Sequence, residues 1–131
     1  MIYNLSKIEF TMEVYNDLVA LLWLDNPEEP QNNYETLKKI IQNLPSNQII
    51  FVYIENNNFK KHIVGIVTLL VKQNLNTLCD GIIEDLKVSL SDKNENITEQ
   101  LLKHIEEFAL KKNCKHLKIK NGNPDSVTFE T

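Results

Sequence analysis

The most conspicuous absence in this sequence is arginine, since all fourteen basic residues are lysines. A phosphate site in this chain must therefore use lysine side chains and backbone N–H groups, because the bidentate guanidinium fork is missing. The formal net charge is -4, and the chain lacks the clustered positive charge on which nucleic-acid binding depends. We therefore expect no nucleic-acid partner.

Cysteines and long apolar runs are also scarce. Cys79 and Cys114 are too few for a disulfide framework and match no zinc-binding spacing, so we expect two buried thiols and no metal site. No run approaches the roughly 18 consecutive apolar residues of a membrane-spanning helix. Residues 1–7 also lack the basic and apolar segments of a signal peptide. The expected location is the cytoplasm, without a membrane partner.

Length and composition favour a single globular domain over residues 1–131. Domains commonly contain about 100–150 residues. The chain has 131, of which 42% are hydrophobic, and no internal repeat or proline-rich linker divides it.

Hydrophobic periodicity predicts a strand and two helices in the first third of the chain. An alternation over residues 2–8 predicts the strand. From Thr11, a suitable N-cap, apolar residues recur at helical spacing until a polar, proline-containing run over 25–30. A second helix has its apolar face over residues 34–44 and ends before a proline.

The rest of the chain is predicted to form three strands, a helix and a last strand. The runs 48–54 and 62–71 are joined as a hairpin by a polar insert, and a third β-rich run covers 81–90. After a polar loop, a periodic helix is expected to start at Asn96, because Glu99 three residues later completes a capping-box pattern.

The last predicted strand covers residues 114–119. A helix between two strands favours a right-handed crossover with those strands parallel. The expected fold class is therefore α/β, a mixed sheet with helices packed on its faces.

Two adjacent carboxylates, Glu84 and Asp85, lie within the third run of this strand trio. Regular alternation would place Glu84 on one face with Leu86, and Asp85 on the other with Lys87. Solvated carboxylates are common in strands, so the pair by itself favours a surface position over a functional one.

The residues around these carboxylates resemble a known family. Residues 79–88 read Cys-Asp-Gly-Ile-Ile-Glu-Asp-Leu-Lys-Val, Lys72 stands twelve residues before Glu84, and Asn-Cys at 113–114 opens the last apolar strand. Together with the element order, this pattern resembles the GNAT superfamily of N-acetyltransferases over nearly the whole chain. Within that superfamily it is most similar to the glucosamine 6-phosphate N-acetyltransferases.

The resemblance implies a fold and a reaction. The fold would be a central mixed β-sheet flanked by helices. The reaction would transfer acetyl from acetyl-CoA to a small primary amine, such as glucosamine 6-phosphate. The amine would attack the thioester directly, without a covalent enzyme intermediate.

The same resemblance assigns roles to individual residues. Glu84 and Asp85 would be catalytic, orienting the amine or accepting a proton. A backbone donor near Leu86 would polarise the thioester carbonyl, while a helix N-terminus would hold the pyrophosphate. The implied cofactor-binding residues are Leu86, Lys87, Val88, Lys93, Asn94, Glu95, Asn96, Ile97, Thr98 and Glu99. The implied substrate-binding residues are Lys72, Glu84, Asp85, Lys115 and His116.

Two departures from the family pattern leave a second interpretation open. The family's pyrophosphate loop has small residues where this chain has Asn96 and Thr98, and Glu95 and Glu99 add negative charge near an anionic ligand. Glu130 also occupies the position of a family tyrosine. The alternative function is a catalytically inactive binding or assembly protein of the same fold.

The family's closing strand also has no counterpart in the sequence pattern. The strand over residues 114–120 is therefore expected to be a free edge, protected by its lysines or covered by a second copy in a homodimer.

Overall fold

A computed structural model describes residues 1–23, 28, 31–57, 60–73, 75, 79–89, 94–119 and 128–130. The predicted elements occur in the predicted order, and the structure adds a 3-10 turn and a last strand. The elements are β1 (Ile2–Asn4), a 3-10 turn (Leu5–Lys7), α1 (Met12–Leu22), α2 (Tyr34–Gln42), β2 (Gln48–Asn57), β3 (Lys60–Lys72), β4 (Asp80–Val88), α3 (Asn94–Lys111), β5 (His116–Ile119) and β6 (Thr128–Glu130). Within these residues, no helix is long and apolar enough to cross a membrane.

The first strand is shorter than predicted, whereas the first helix begins where predicted. β1 ends at Asn4, whose side chain accepts a hydrogen bond from the Ser6 N–H at 3.0 Å and starts the 3-10 turn. The Thr11 hydroxyl accepts a hydrogen bond from the Val14 N–H at 3.2 Å. Thr11 therefore caps α1, because it satisfies a backbone donor that the helix leaves unpaired.

The hairpin and α3 are longer than the sequence predicted. β2 and β3 continue pairing into the predicted polar insert as far as Asn57 and Lys60. α3 begins at Asn94, so the predicted start at Asn96 is wrong and Asn96 lies within the first turn. Polar residues are compatible with this turn because its backbone N–H groups have no partner within the helix.

The strands form one mixed sheet in the order β1-β2-β3-β4-β5-β6. All neighbouring pairs are antiparallel except β4 and β5, which are parallel, as predicted for a crossover through α3. β6 pairs with β5, with Phe129 opposite Leu117. The expectation that β5 is a free edge is therefore wrong, because the chain after it returns to the same edge.

Helices cover both faces of this sheet. On one face α3 buries Ile97, Leu101 and Ile105 against β3 and β4. On the other, α1 and α2 bury Leu18, Leu21, Leu37 and Ile41 against Val52, Ile63 and Ile66. The alternating side chains of β3 supply both cores, since Val67 faces α3 and Ile66 faces α1.

Cys79 and Cys114 are buried, as expected, beside Gly81. Their sulfur atoms lie 3.3 Å apart, and burial raises the pKa of the Cys114 thiol to about 12. A Cβ atom at Gly81 would approach Leu117 Cδ1 to 2.8 Å. A side chain at this position would therefore force Leu117 to shift within the core shared by β4 and β5.

The packing of α3 predicts that two of its leucines contribute very differently to the free energy of unfolding. Leu101 is 0% exposed, whereas Leu110 is 45% exposed. We expect Leu101→Ala to lower the free energy of unfolding by about 2–5 kcal/mol through lost burial and a residual cavity. The matched change Leu110→Ala should cost less than about 0.5 kcal/mol. Urea denaturation measures both, and equal losses would contradict this placement of α3.

Candidate active site

The strand β4 contains one residue more than β3 opposite it. Thr68 pairs with Glu84 and Ile66 pairs with Lys87, so three steps along β4 match two along β3. The extra residue forms a β-bulge at Asp85, whose φ is 53°. This angle lies in the left-handed region, where Asp and Asn are favoured over other residues with a side chain.

The bulge changes the face that each side chain takes. Leu86 packs against the core on the α3 face. Glu84 lies opposite Thr68, and directly opposed residues of antiparallel strands share a face, so Glu84 belongs to the α1–α2 face. Asp85 and Thr68 line the same cavity on that face. The prediction that Glu84 and Leu86 lie on the same face is therefore wrong. The extra residue at the bulge reverses the alternation of side chains along β4.

The described pairing of β4 with β5 ends close to the bulge. It runs from Asp80–His116 to Ile83–Ile119, the last described residue of β5, while β4 continues to Val88. No described strand pairs with residues 86–88 of β4 on the edge that faces away from β3. Such an edge offers backbone N–H and C=O groups to an extended ligand.

A cavity of about 160 Å³ lies beside the bulge, between α1, α2 and the sheet. Eight leucines and isoleucines and Trp23 form most of its lining, and the remaining four lining residues are Asn32, Gln48, Thr68 and Asp85. Within the described part of the chain, Asp85 is the one ionisable residue that lines it. Asp85 itself is exposed, which places it where solvent can reach the cavity.

Hydrogen bonds fix the ends of the two helices that form this cavity. Lys87 Nζ donates to the Leu22 carbonyl oxygen at 2.7 Å, where a cation complements the C-terminal end of α1. The Tyr15 hydroxyl donates to the Asn32 carbonyl oxygen at 2.8 Å, and its ring packs edge-on against Tyr34. The bond to Leu22 therefore fixes the position next to Trp23, and the bond from Tyr15 fixes Asn32.

The predicted cofactor-binding residues after β4 lie mostly in the first turns of α3. Ile97 is only 2% exposed and packs in the core, so its side chain is unavailable and any ligand contact there must use its backbone. Asn96 and Glu99 are exposed, and Thr98 is half-buried. Lys93 and the side chains of Asn94 and Glu95 lie outside the described part of the structure.

Three predicted substrate-binding residues lie away from the cavity. Lys72 and His116 flank Asp80 on neighbouring strands, and Lys115 precedes His116. Asp80 is five residues before Asp85, which is roughly 16 Å along a strand. The structure therefore does not bring Lys72, Lys115 and His116 together with Asp85.

Sequence reasoning missed the residues that form the cavity with Asp85. Trp23, Asn32, Gln48 and Thr68 line the cavity, but none of them is among the predicted site residues. No local pattern marks them, because they come from the end of α1, the segment before α2, and two strands. The one usable indication was a tryptophan next to the polar run that ends α1.

Comparison with protein-family models and with curated proteins finds no match to this sequence. Many solved structures, however, are similar. A GNAT family acetyltransferase from Staphylococcus aureus is 19% identical with a TM-score of 0.74, over 100% of this chain and 93% of that chain. An aminoglycoside acetyltransferase from an uncultured soil metagenomic sample, in complex with sisomicin, is 20% identical with a TM-score of 0.71, over 95% and 79%.

The NatC complex bound to a Gag peptide and CoA is also similar, at 12% identity with a TM-score of 0.62, over 95% of this chain and 76% of that chain. At such identities the similarity establishes the fold. The chain has the fold of the GNAT acetyltransferases, as the sequence pattern predicted.

The backbone at Asp85 predicts how substitutions there affect stability. Asp85→Val should destabilise the protein by about 1–2 kcal/mol, because a β-branched residue is strained at positive φ. Asp85→Asn should stay within about 0.5 kcal/mol of the unsubstituted chain, since Asn tolerates this conformation. Thermal and urea unfolding test both. A Val variant as stable as the Asn variant would show that β4 has no such bulge.

Proposed function

We propose that this chain is an acyl-CoA-dependent N-acetyltransferase that transfers acetyl from acetyl-CoA to a small primary amine. The observation that carries the proposal is the coincidence of three features at one point of the sheet. There the described pairing of β4 with β5 ends, the bulge turns Asp85 towards the α1–α2 face, and a cavity opens beside it. Similarity to acetyltransferase structures, one with CoA bound, supports the same reading.

The described residues fit an acyl-CoA. No described strand pairs with the outer edge of residues 86–88, so the backbone of Leu86, Lys87 and Val88 can pair with the amide groups of an extended pantetheine arm. The first turn of α3 follows β4 and offers N–H groups to the phosphates, which matters in a chain without arginine. When bound, acetyl-CoA supplies the activated acetyl thioester.

The chain's own residues bind and orient the acceptor amine. The Asp85 carboxylate attracts the ammonium group, which loses one proton to solvent before it reacts. The free amine nitrogen then bonds to the acyl carbon while the carbon–sulfur bond breaks. The second proton leaves the nitrogen and the thiol of CoA is formed, so one proton is released per turnover. A backbone N–H of β4 near the bulge would stabilise the carbonyl oxygen during attack.

A catalytically inactive binding or assembly protein is the second candidate. It is favoured by the start of α3, where the positions at which the family has small residues lie inside the helix. There Ile97 is buried and Glu99 is exposed near the expected phosphates. A carboxylate at that place repels an anionic ligand and so weakens its binding.

Ligand binding separates the two candidates. Acetyl-CoA at about a hundred times its Kd should stabilise the folded state by about 2.7 kcal/mol and raise the Tm. Thiol release in the presence of primary amines should follow. Binding without thiol release for any amine would favour the inactive protein, and the absence of both would refute the acetyltransferase assignment.

The charge of Glu99 should limit the affinity for the cofactor. We expect Glu99→Gln to tighten CoA binding severalfold at low ionic strength, with the gain shrinking as salt screens the interaction. Glu107→Gln is the matched control, because Glu107 is also exposed on α3 but roughly 12 Å further along the helix axis. Isothermal titration measures both. Equal affinities for the two variants would place the phosphates elsewhere.

A further inference from the structure

We infer that the acceptor is a primary amine carried on an apolar body about the size of one benzene ring. This inference rests on the proposed acetyltransferase function and names the substrate class of the same site. It follows from the shape, the lining and the charge of the cavity beside Asp85.

The size and lining of the cavity define the body of the acceptor. Its volume is about 160 Å³. A cavity of about 150 Å³ lined by leucine, isoleucine and phenylalanine holds one benzene molecule. Here eight aliphatic residues and Trp23 dominate the lining, so transfer of an apolar group from water is favourable. A sugar ring would instead leave most of its hydroxyl groups without partners.

The charge around the cavity defines the head group. Asp85 lines the cavity near solvent, and the described lining contains no cation. Lys87, two residues further along β4, is not part of the lining and donates to the Leu22 carbonyl at the C-terminal end of α1. A ligand ammonium can therefore pair with Asp85, whereas a phosphate in the cavity would lie near this carboxylate.

Other amine classes fit less well. The predicted acceptor glucosamine 6-phosphate requires cations, and the candidates Lys72, Lys115 and His116 lie at the opposite end of β4 from the bulge. A polyamine would need a second carboxylate along the cavity, but within the described residues Asp85 is alone there. An amine with one charge and one apolar group matches both properties of the site.

Direct binding can be measured without turnover, because Trp23 is the only tryptophan of the chain and lines the cavity. We expect 2-phenylethylamine to change the Trp23 fluorescence saturably. Asp85→Asn should weaken this binding by about tenfold, while binding of the neutral analogue 2-phenylethanol should be unchanged. An unchanged fluorescence up to millimolar amine, or an equal effect of the substitution on both ligands, would overturn the inference.

The cavity itself is tested by filling it. Ile40 on α2 lines the cavity and is 46% exposed, and Leu110 on α3 is 45% exposed outside it. Ile40→Phe should raise the KM for 2-phenylethylamine at least fivefold without changing the affinity for acetyl-CoA. Leu110→Phe should change neither. If both variants behave like the unsubstituted chain, the amine does not occupy this cavity.

Turnover measurements then distinguish a failure of this inference from a failure of the proposed function. With acetyl-CoA, kcat/KM for 2-phenylethylamine should exceed that for methylamine, spermidine and glucosamine 6-phosphate by at least tenfold. Preference for glucosamine 6-phosphate or spermidine would overturn the inference and leave the acetyltransferase function intact. Thiol release with none of the amines would overturn both.

Discussion

The extra residue in β4 is the constraint on which the candidate site depends. A strand that paired regularly with β3 would alternate strictly, and Glu84 and Asp85 would point to opposite faces of the sheet. The bulge places Asp85 at a φ of 53° and leaves both residues on the face covered by α1 and α2. It also lies next to the end of the described pairing between β4 and β5. Strained backbone of this kind persists only where the surrounding structure holds it in place.

The surroundings of the bulge supply that support. On one face, Leu86 and Val88 pack with Leu101 of α3, and Gly65 lets the helix approach β3 closely. On the other face, Lys87 ties the strand to the end of α1 through the Leu22 carbonyl. The two residues after the bulge are thus held by opposite layers of the protein.

The composition of the chain and the architecture of the site are consistent with each other. A protein without arginine must bind phosphate through lysine and backbone donors, and the first turn of α3, which follows β4 in the chain, supplies backbone donors. The acceptor side of the site is different in character, because its lining is apolar and carries one carboxylate. Separate regions of one strand would therefore bind an anionic cofactor and a cationic acceptor.

The sequence by itself determined the order of the elements up to β5, the α/β fold class and the position of the Glu84–Asp85 pair in β4. It could do so because hydrophobic period, caps such as Thr11, and the crossover rule act over short distances in the chain. Only the tertiary structure decided which face these carboxylates take, because a one-residue bulge has no signature in the hydrophobic pattern. Trp23, Asn32 and Thr68 likewise meet Asp85 only after α1, α2 and the sheet have packed together. Packing also decided that Lys72 and His116, although predicted to bind the acceptor, lie at the far end of β4.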